Sequence, residues 1–221
     1  MATINDPTIP ANIQRVGPAD TAAAQMPAHV SLRAIPHGVL GHYSTSLRIA
    51  STAAQVASAR ILALRNSHAS NLLVLTGLRL RALQTAAGTA QENALDAYKA
   101  TAFTVIDTTN TLTPVVSKRR AAMANAPGGA EIRNLNPAAA GMTGGTLTKD
   151  ALPFASLPYN VAAAVGSSMW GPVDAVEDAG AVHPFVFAQN EGLVVENRTL
   201  NVTSYGITWY LDVSWAEVTL Y

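Results

Sequence analysis

The chain contains no cysteine, which excludes disulfide bonds and thiolate chemistry throughout its 221 residues. Only 13% of the residues are charged, against roughly 25% in a typical soluble domain. The formal net charge is zero, so composition offers no electrostatic basis for binding nucleic acid or an anionic membrane surface. No stretch reaches the roughly 18 consecutive apolar residues of a membrane helix. We therefore expect neither a nucleic acid nor a membrane as partner.

The few basic residues are biased in type. Eleven of the fourteen are arginine, and arginine is favoured over lysine at protein interfaces. A chain with so little charge also tends to have part of its surface covered by a neighbour. Together these features predict an obligate homo-oligomer or a component of a larger assembly.

Sustained helical periodicity is absent as well, and the clearest pattern alternates with a period of two. From residue 207 to residue 215 every odd position is large and apolar, and two of these positions are Trp209 and Trp215. The even positions are polar: Thr208, Tyr210, Asp212 and Ser214. Such alternation predicts a β-strand with one face in the core and the other turned to solvent or a neighbouring subunit.

Similar short segments recur along the chain between turn-forming residues. We predict strands over residues 44–50, 59–65, 72–83, 95–106, 131–135, 183–188 and 193–195. Residues 59–65 and 72–83 are predicted to form a β-hairpin, with a bulge at Gly77. About eight strands separated by turns are typical of an antiparallel sandwich or jelly roll. We therefore predict an all-β fold, with one jelly-roll-like β-sandwich domain over residues 43–221.

Residues 1–42 have a different texture, because prolines interrupt them at Pro7, Pro10, Pro18, Pro27 and Pro36. Proline blocks helix and sheet interiors and favours extended chain. Single apolar residues lie between the prolines, among them Ile4, Ile9, Ile13 and Val16. Two interpretations stay open: a disordered leader, or an extended assembly arm whose apolar side chains contact another subunit.

Motifs for catalysis and metal binding are not found in the sequence. The five histidines lack the spacing of a metal site, the Gly-x-Ser-x-Gly elbow is missing, and the glycine-rich stretches lack the lysine of a phosphate loop. The basic cluster at residues 118–120, with Arg133, is interpreted as pairing with carboxylates across a subunit contact. We therefore predict no catalytic residues, no metal and no cofactor.

One acidic group follows an aromatic residue and permits a second interpretation. Asp174, Glu177 and Asp178 come shortly after Trp170, and sandwich folds use aromatic and acidic loop residues to bind sugars. A solvated loop explains the same residues equally simply. Trp170, Asp174, Glu177 and Asp178 are thus candidate glycan contacts under an alternative hypothesis.

The C-terminal part carries a distinctive pattern, because residues 183–195 read HPFVFAQNEGLVV and the last strand closes in Trp215, Ala216 and Glu217. This pattern resembles the C-terminal end of small virion proteins of tailed bacteriophages. Looser similarity appears at residues 96–98, 117–120 and 131–133, so that the resemblance extends over roughly residues 58–218. It implies a structural β-sandwich protein located in the virion, without catalytic residues.

The resulting hypothesis is a non-enzymatic capsid decoration or cement protein. Such a protein would bind the major capsid protein or other virion proteins as a homo-oligomer, with a trimer favoured, and would stabilise the assembled shell. The first alternative is a tail, spike or fibre module that binds a host glycan or receptor. A third hypothesis is an enzyme that hydrolyses glycans, which would need two carboxylates at a fixed separation.

Overall fold

The structure is a computed structural model that describes residues 40–119, 128–164, 168–176, 185–200 and 206–219. Over these ranges the chain is all-β, as predicted, and every pairing between strands is antiparallel. None of the described residues belongs to a helix with the length and apolar character that a membrane crossing requires. The strands are β1 Gly41–Ala50, β2 Ala59–Asn66, β3 Leu72–Gln84, β4 Gln91–Val105, β5 Thr111–Leu112, β6 Ser117–Lys118, β7 Ala130–Leu135, β8 Thr146–Lys149, β9 Ala155–Val161, β10 Ser168–Val176, β11 Phe185–Phe187, β12 Gly192–Asn197 and β13 Ile207–Val218.

The strands form two sheets that pack as a β-sandwich. Sheet A has the order β10-β3-β13-β1-β6, with β11 also paired to β3. Sheet B has the order β5-β7-β2-β12-β4-β8, with β9 also paired to β4. Buried apolar side chains from both sheets form one core cluster. At its margin Tyr159 of sheet B contacts Trp170 of sheet A, with ring centroids 5.8 Å apart.

The strand with the strict alternation is β13, and the prediction for its odd face is confirmed. All five odd positions from residue 207 to residue 215 are at most 2% exposed. Trp215 also stacks on Tyr43 with ring centroids 5.9 Å apart. On the even face, Tyr210 and Asp212 are half-buried, whereas Thr208 and Ser214 are buried. This burial follows from the central place of β13, which pairs with β3 on one side and β1 on the other.

The predicted hairpin of β2 and β3 is wrong, because the two strands lie in different sheets. β2 pairs with β7 and β12, while β3 pairs with β10, β11 and β13. Five residues join them, which is enough chain to span the roughly 10 Å between packed sheets. Asn66 fixes this crossing: its Nδ2 donates to the carbonyl oxygens of Asn71 at 2.7 Å and Phe187 at 2.9 Å.

The bulge predicted at Gly77 is confirmed. Gly77 pairs with Ser214 and Leu75 pairs with Trp215, which leaves Thr76 as the extra residue. The Thr76 hydroxyl is buried and donates to Ser214 Oγ at 2.9 Å. The bulge therefore places a polar side chain where it finds a hydrogen-bond partner on the neighbouring strand.

The segment around residue 95 is a strand and not a helix, in agreement with the prediction, although β4 begins earlier at Gln91. Leu95, Ala97 and Phe103 are fully buried, whereas Val105, two residues further along, is 44% exposed. Ala102 has a φ of 48°, and the pairing with β8 shifts register between Thr101 and Val105. This irregularity turns the end of β4 outward.

In the turn before β12 the positive φ, 61°, belongs to Asn190 and not to Gly192. A Cβ on Gly192 would lie 2.0 Å from the Leu64 carbonyl oxygen. Gly192 is thus required by the close approach of β2 and β12. His183 and Pro184, which open the quoted motif, lie outside the described residues.

Candidate interaction surface

The outer side of sheet A carries a flat group of side chains that we call the A face. Alternation puts Leu80, Ala82, Trp209 and Leu211 in the core, so the residues between them point away from it. The A face consists of Arg48, Arg79, Arg81, Leu83, Met169, Asp174, Tyr210 and Asp212.

Strand register arranges these side chains in rows across the sheet. Tyr210 lies between Arg81 and Arg48, and Asp212 pairs with Arg79 in the next row. Asp174 of β10 extends this second row on the other side of Arg79. β3 and β13 pair without a register shift from Ile207 to Ser214, so the part of these two strands that carries the rows is regular.

Neighbouring side chains hold the basic groups of the A face in position. Arg81 Nη2 donates to Asp212 Oδ2 at 2.9 Å, and its guanidinium lies 5.6 Å from the Tyr210 ring centroid. Arg79 Nη2 donates to Asp174 Oδ2 at 3.1 Å, and Arg79 Nε donates to Oδ1 of the same carboxylate. The hydrogen bonds from Arg79 lower the pKa of Asp174 from its usual value. The face therefore presents ordered guanidinium groups.

Apolar side chains form one end of the A face. Met169 is 66% exposed and pairs with Leu83, which is half-buried and lies opposite Thr208 of β13. Arginine, tyrosine and methionine are the residue types enriched in protein–protein interfaces. The A face thus joins an apolar end to an arginine and tyrosine centre.

Two of the four residues predicted as glycan contacts, Trp170 and Asp174, are described, and their side chains lie on different sides of sheet A. Trp170 packs towards the core, on Tyr159, whereas Asp174 lies on the outer side of the sheet with Arg79. Glu177 and Asp178 lie outside the described residues. So do the arm residues Ile4, Ile9, Ile13 and Val16.

The predicted basic cluster is also divided. Lys118 belongs to β6 at the edge of sheet A, and Arg119 follows it. Arg120 lies outside the described residues. Arg133 belongs to β7 of sheet B, where its Nη1 donates to the Ile132 carbonyl oxygen at 3.1 Å. The described residues of the sequence cluster therefore belong to both sheets.

Sequence reasoning missed three ion pairs of sheet B in which the carboxylate is buried under its cation. Arg198 binds Asp96 through Nε and Nη2, both at 2.7 Å, although Asp96 is 1% exposed. The other two pairs are Arg60 with Asp107, at 2.5 Å, and Lys149 with Glu196. Burial first, and then the nearby carboxylates, raise the pKa of Tyr98. Because cations of the same chain already bind these carboxylates, we assign the three ion pairs a structural role.

No cluster of three or more potential metal-ligating side chains occurs within the described ranges. The A face had a partial signal in the sequence, since Tyr210 and Asp212 stood on the even face of the predicted last strand. Its partners from β3 and β10 had no signal, because alternation does not reveal which strands pair. Comparisons with protein-family models, curated proteins and solved structures find no match for this chain.

Proposed function

We propose that this chain is a non-enzymatic structural protein of a tailed-phage virion, and that it decorates or cements the capsid shell. The A face carries this proposal, because it combines ordered arginines, a half-buried tyrosine and an exposed methionine on the outer side of one sheet. The neutral, arginine-biased composition and the resemblance of the C-terminal motif support the same role. In the finer form of the proposal the sandwich is a jelly roll and residues 1–42 are an extended arm.

The mechanism is stabilisation by binding to the assembled shell and not to free capsid subunits. Any such binding adds a free energy that grows with protein concentration relative to Kd. Asp212 and Asp174 hold Arg81 and Arg79 in place before a partner arrives. Less side-chain entropy is then lost on association, which favours affinity. The proposed partners are the major capsid protein or other virion proteins.

The first experiment locates the chain on the particle. Virions of the phage that encodes it are purified, the chain is quantified by mass spectrometry, and its position is determined by electron microscopy. The proposal expects many copies at local symmetry axes of the capsid. A few copies at one vertex would favour the tail or spike alternative, and absence from the virion would refute both.

The second experiment tests the A face. Particles lacking the chain are mixed with purified wild-type protein, Arg81→Ala or Arg133→Ala, and occupancy is measured against concentration. Arg81→Ala removes the centre of the A face, and we expect about tenfold weaker binding, equivalent to about 1.4 kcal/mol. Arg133→Ala is the matched control, because Arg133 lies on sheet B and bonds only its neighbour's carbonyl among the described residues. Equal binding by all three proteins would exclude the A face as the contact.

A further inference from the structure

The edges of the two sheets differ in how they are protected. An edge strand exposes unpaired N–H and C=O groups to which another strand can add. On one side of the molecule the edges are β8 and β9 in sheet B and β10 and β11 in sheet A. Pro158 lies in the middle of β9, and β10 contains Pro172 and two register shifts. Proline and bulges are the usual means of blocking an edge.

On the other side, side chains cap the edge of sheet B. The pairing of β7 with β2 turns the backbone groups of Ala130 and Ile132 outward. Glu217 Oε1 accepts from the Ala130 N–H at 3.1 Å, and Arg133 Nη1 donates to the Ile132 carbonyl. β5 pairs with the last two residues of β7. Side chains thus bind the Ala130 N–H and the Ile132 carbonyl of this edge.

The β1 edge of sheet A lacks such protection over residues 46–50. The Ser51 N–H donates to the Ile207 carbonyl oxygen at 2.8 Å. Given the register of β1 and β13, the backbone groups of odd residues in β1 therefore form hydrogen bonds with β13. The backbone groups of even residues point away from β13. The His42 carbonyl, which accepts from the Arg119 N–H at 2.8 Å, agrees with this assignment. β6 pairs only with Tyr43 and Ser44. Among the described residues, the outward backbone groups of Ser46, Arg48 and Ala50 therefore have no strand partner.

This edge is regular, and its side chains are apolar on one face and basic on the other. Residues 46–50 contain no proline or glycine, and β1 pairs with β13 without a register shift. Ile49 is buried and Leu47 half-buried towards the core, whereas Arg48 is exposed on the A face. No hydrogen bond or ion pair joins Arg48 to another described residue. An added strand would therefore meet apolar side chains on one face and a positive charge on the other.

A second copy of β1 fits this edge poorly. Antiparallel pairing centred on residue 48 would place Arg48 directly opposite Arg48 of the other copy, and like charges in that position are destabilising. Other registers would require backbone groups that already have partners. A shift in one direction would pair the second copy with Ser44, which already pairs with β6. A shift in the other direction would pair it with Thr52, whose N–H already donates to the Pro137 carbonyl at 2.9 Å.

We propose that residues 46–50 of β1 form a strand-addition site for an extended segment of a partner chain with an acidic side chain opposite Arg48 and apolar side chains on the other face. Main-chain hydrogen bonds to Ser46, Arg48 and Ala50 give affinity, and Arg48 selects the charge, as in other β-augmentation sites. The site does not depend on the proposed role in a virion.

The test uses the full chain and two seven-residue peptides, one alternating valine with glutamate and one alternating valine with lysine. Amide hydrogen exchange is followed by NMR. Without peptide, the amides of Ser46, Arg48 and Ala50 should exchange about 100-fold faster than those of Leu47 and Ile49, which bond β13. The glutamate peptide should slow the three even amides about tenfold or more, and the lysine peptide should not.

Variants separate pairing from charge. Ser46→Pro removes one outward N–H without changing charge and should abolish the protection at unchanged thermal midpoint. If that variant does not fold, a backbone N-methylated glutamate peptide on the wild-type chain makes the same distinction and should give no protection. Arg48→Glu should transfer the preference to the lysine peptide.

Each other result overturns the proposal. Even amides protected at every protein concentration would mean that a segment of the same chain covers the edge. Protection that increases with protein concentration would identify a second copy as the occupant. Equal protection by both peptides, or by the N-methylated peptide, would remove charge selection or strand pairing respectively.

Discussion

Trp209 lies in the middle of the central strand of sheet A with none of its surface exposed. Its side chain packs in the row of Ile49 and Ala82, and no described residue accepts a hydrogen bond from its indole N–H. We expect Trp209→Ala to lower the free energy of unfolding by about 3–5 kcal/mol, because it leaves a large cavity. Urea denaturation of both proteins measures the difference.

A second substitution gives the control for that prediction. Trp209→Phe keeps most of the buried ring and removes the unpaired N–H, so it should cost clearly less than Trp209→Ala. Equal losses would mean that the site does not depend on cavity size. No loss from Trp209→Ala would contradict the assignment of this side chain to the core.

Gly192 allows a similarly direct test at the contact of β2 and β12. Gly192→Ala would bring a Cβ to 2.0 Å from the Leu64 carbonyl, which is backbone and cannot move aside alone. We expect a loss of about 3 kcal/mol, at the upper end of overpacking effects. In contrast, Asn190→Gly relieves a positive φ and should be much milder, although it loses the bond from Arg65. Thermal melts of the two variants compare the cost of crowding at Gly192 with the effect of the positive φ at Asn190.

The ion pairs that connect different strands and loops should differ in how much they add to the free energy of unfolding, because their carboxylates differ in burial. Arg198→Ala would leave the Asp96 carboxylate, 1% exposed, without its two short hydrogen bonds. We expect a loss of about 2 kcal/mol, the usual range for a hydrogen-bonded buried charge whose partner is partly exposed.

Arg79→Ala is the matched control, because its partner Asp174 lies on the surface. Surface pairs contribute little, so the thermal midpoint should barely change at neutral pH. The pKa of Asp174 is lowered by Arg79, hence any contribution is present above the ordinary carboxyl pKa and is lost as the pH falls through the lowered value. Equal losses from Arg198→Ala and Arg79→Ala would contradict the role of burial.

At the scale of whole strands, the sequence was sufficient to locate strands but insufficient to show which strands pair. Alternation located β13, β3 and β4 and assigned the core face of β13, because side-chain direction is a local property. The β2 and β3 hairpin failed since an adjacent pair of strands can turn within a sheet or cross between sheets with similar turn residues. The A face needed pairings such as Arg81 with Asp212, which are 131 residues apart, and local pattern carries no information on them.

For the whole molecule, the low charge leads to a prediction about self-association. We expect the full chain to sediment as a trimer of about 69 kDa, three times 23.0 kDa, since a neutral chain with few charges is expected to cover part of its surface with other copies. If the A face is reserved for the shell, Arg81→Glu should leave this trimer intact while lowering particle occupancy, because it places a second carboxylate beside Asp212. Sedimentation velocity and particle binding on the same preparations measure both effects. A monomer for the wild type would contradict the predicted oligomer, and a monomer only for Arg81→Glu would make the A face the contact between copies of this chain.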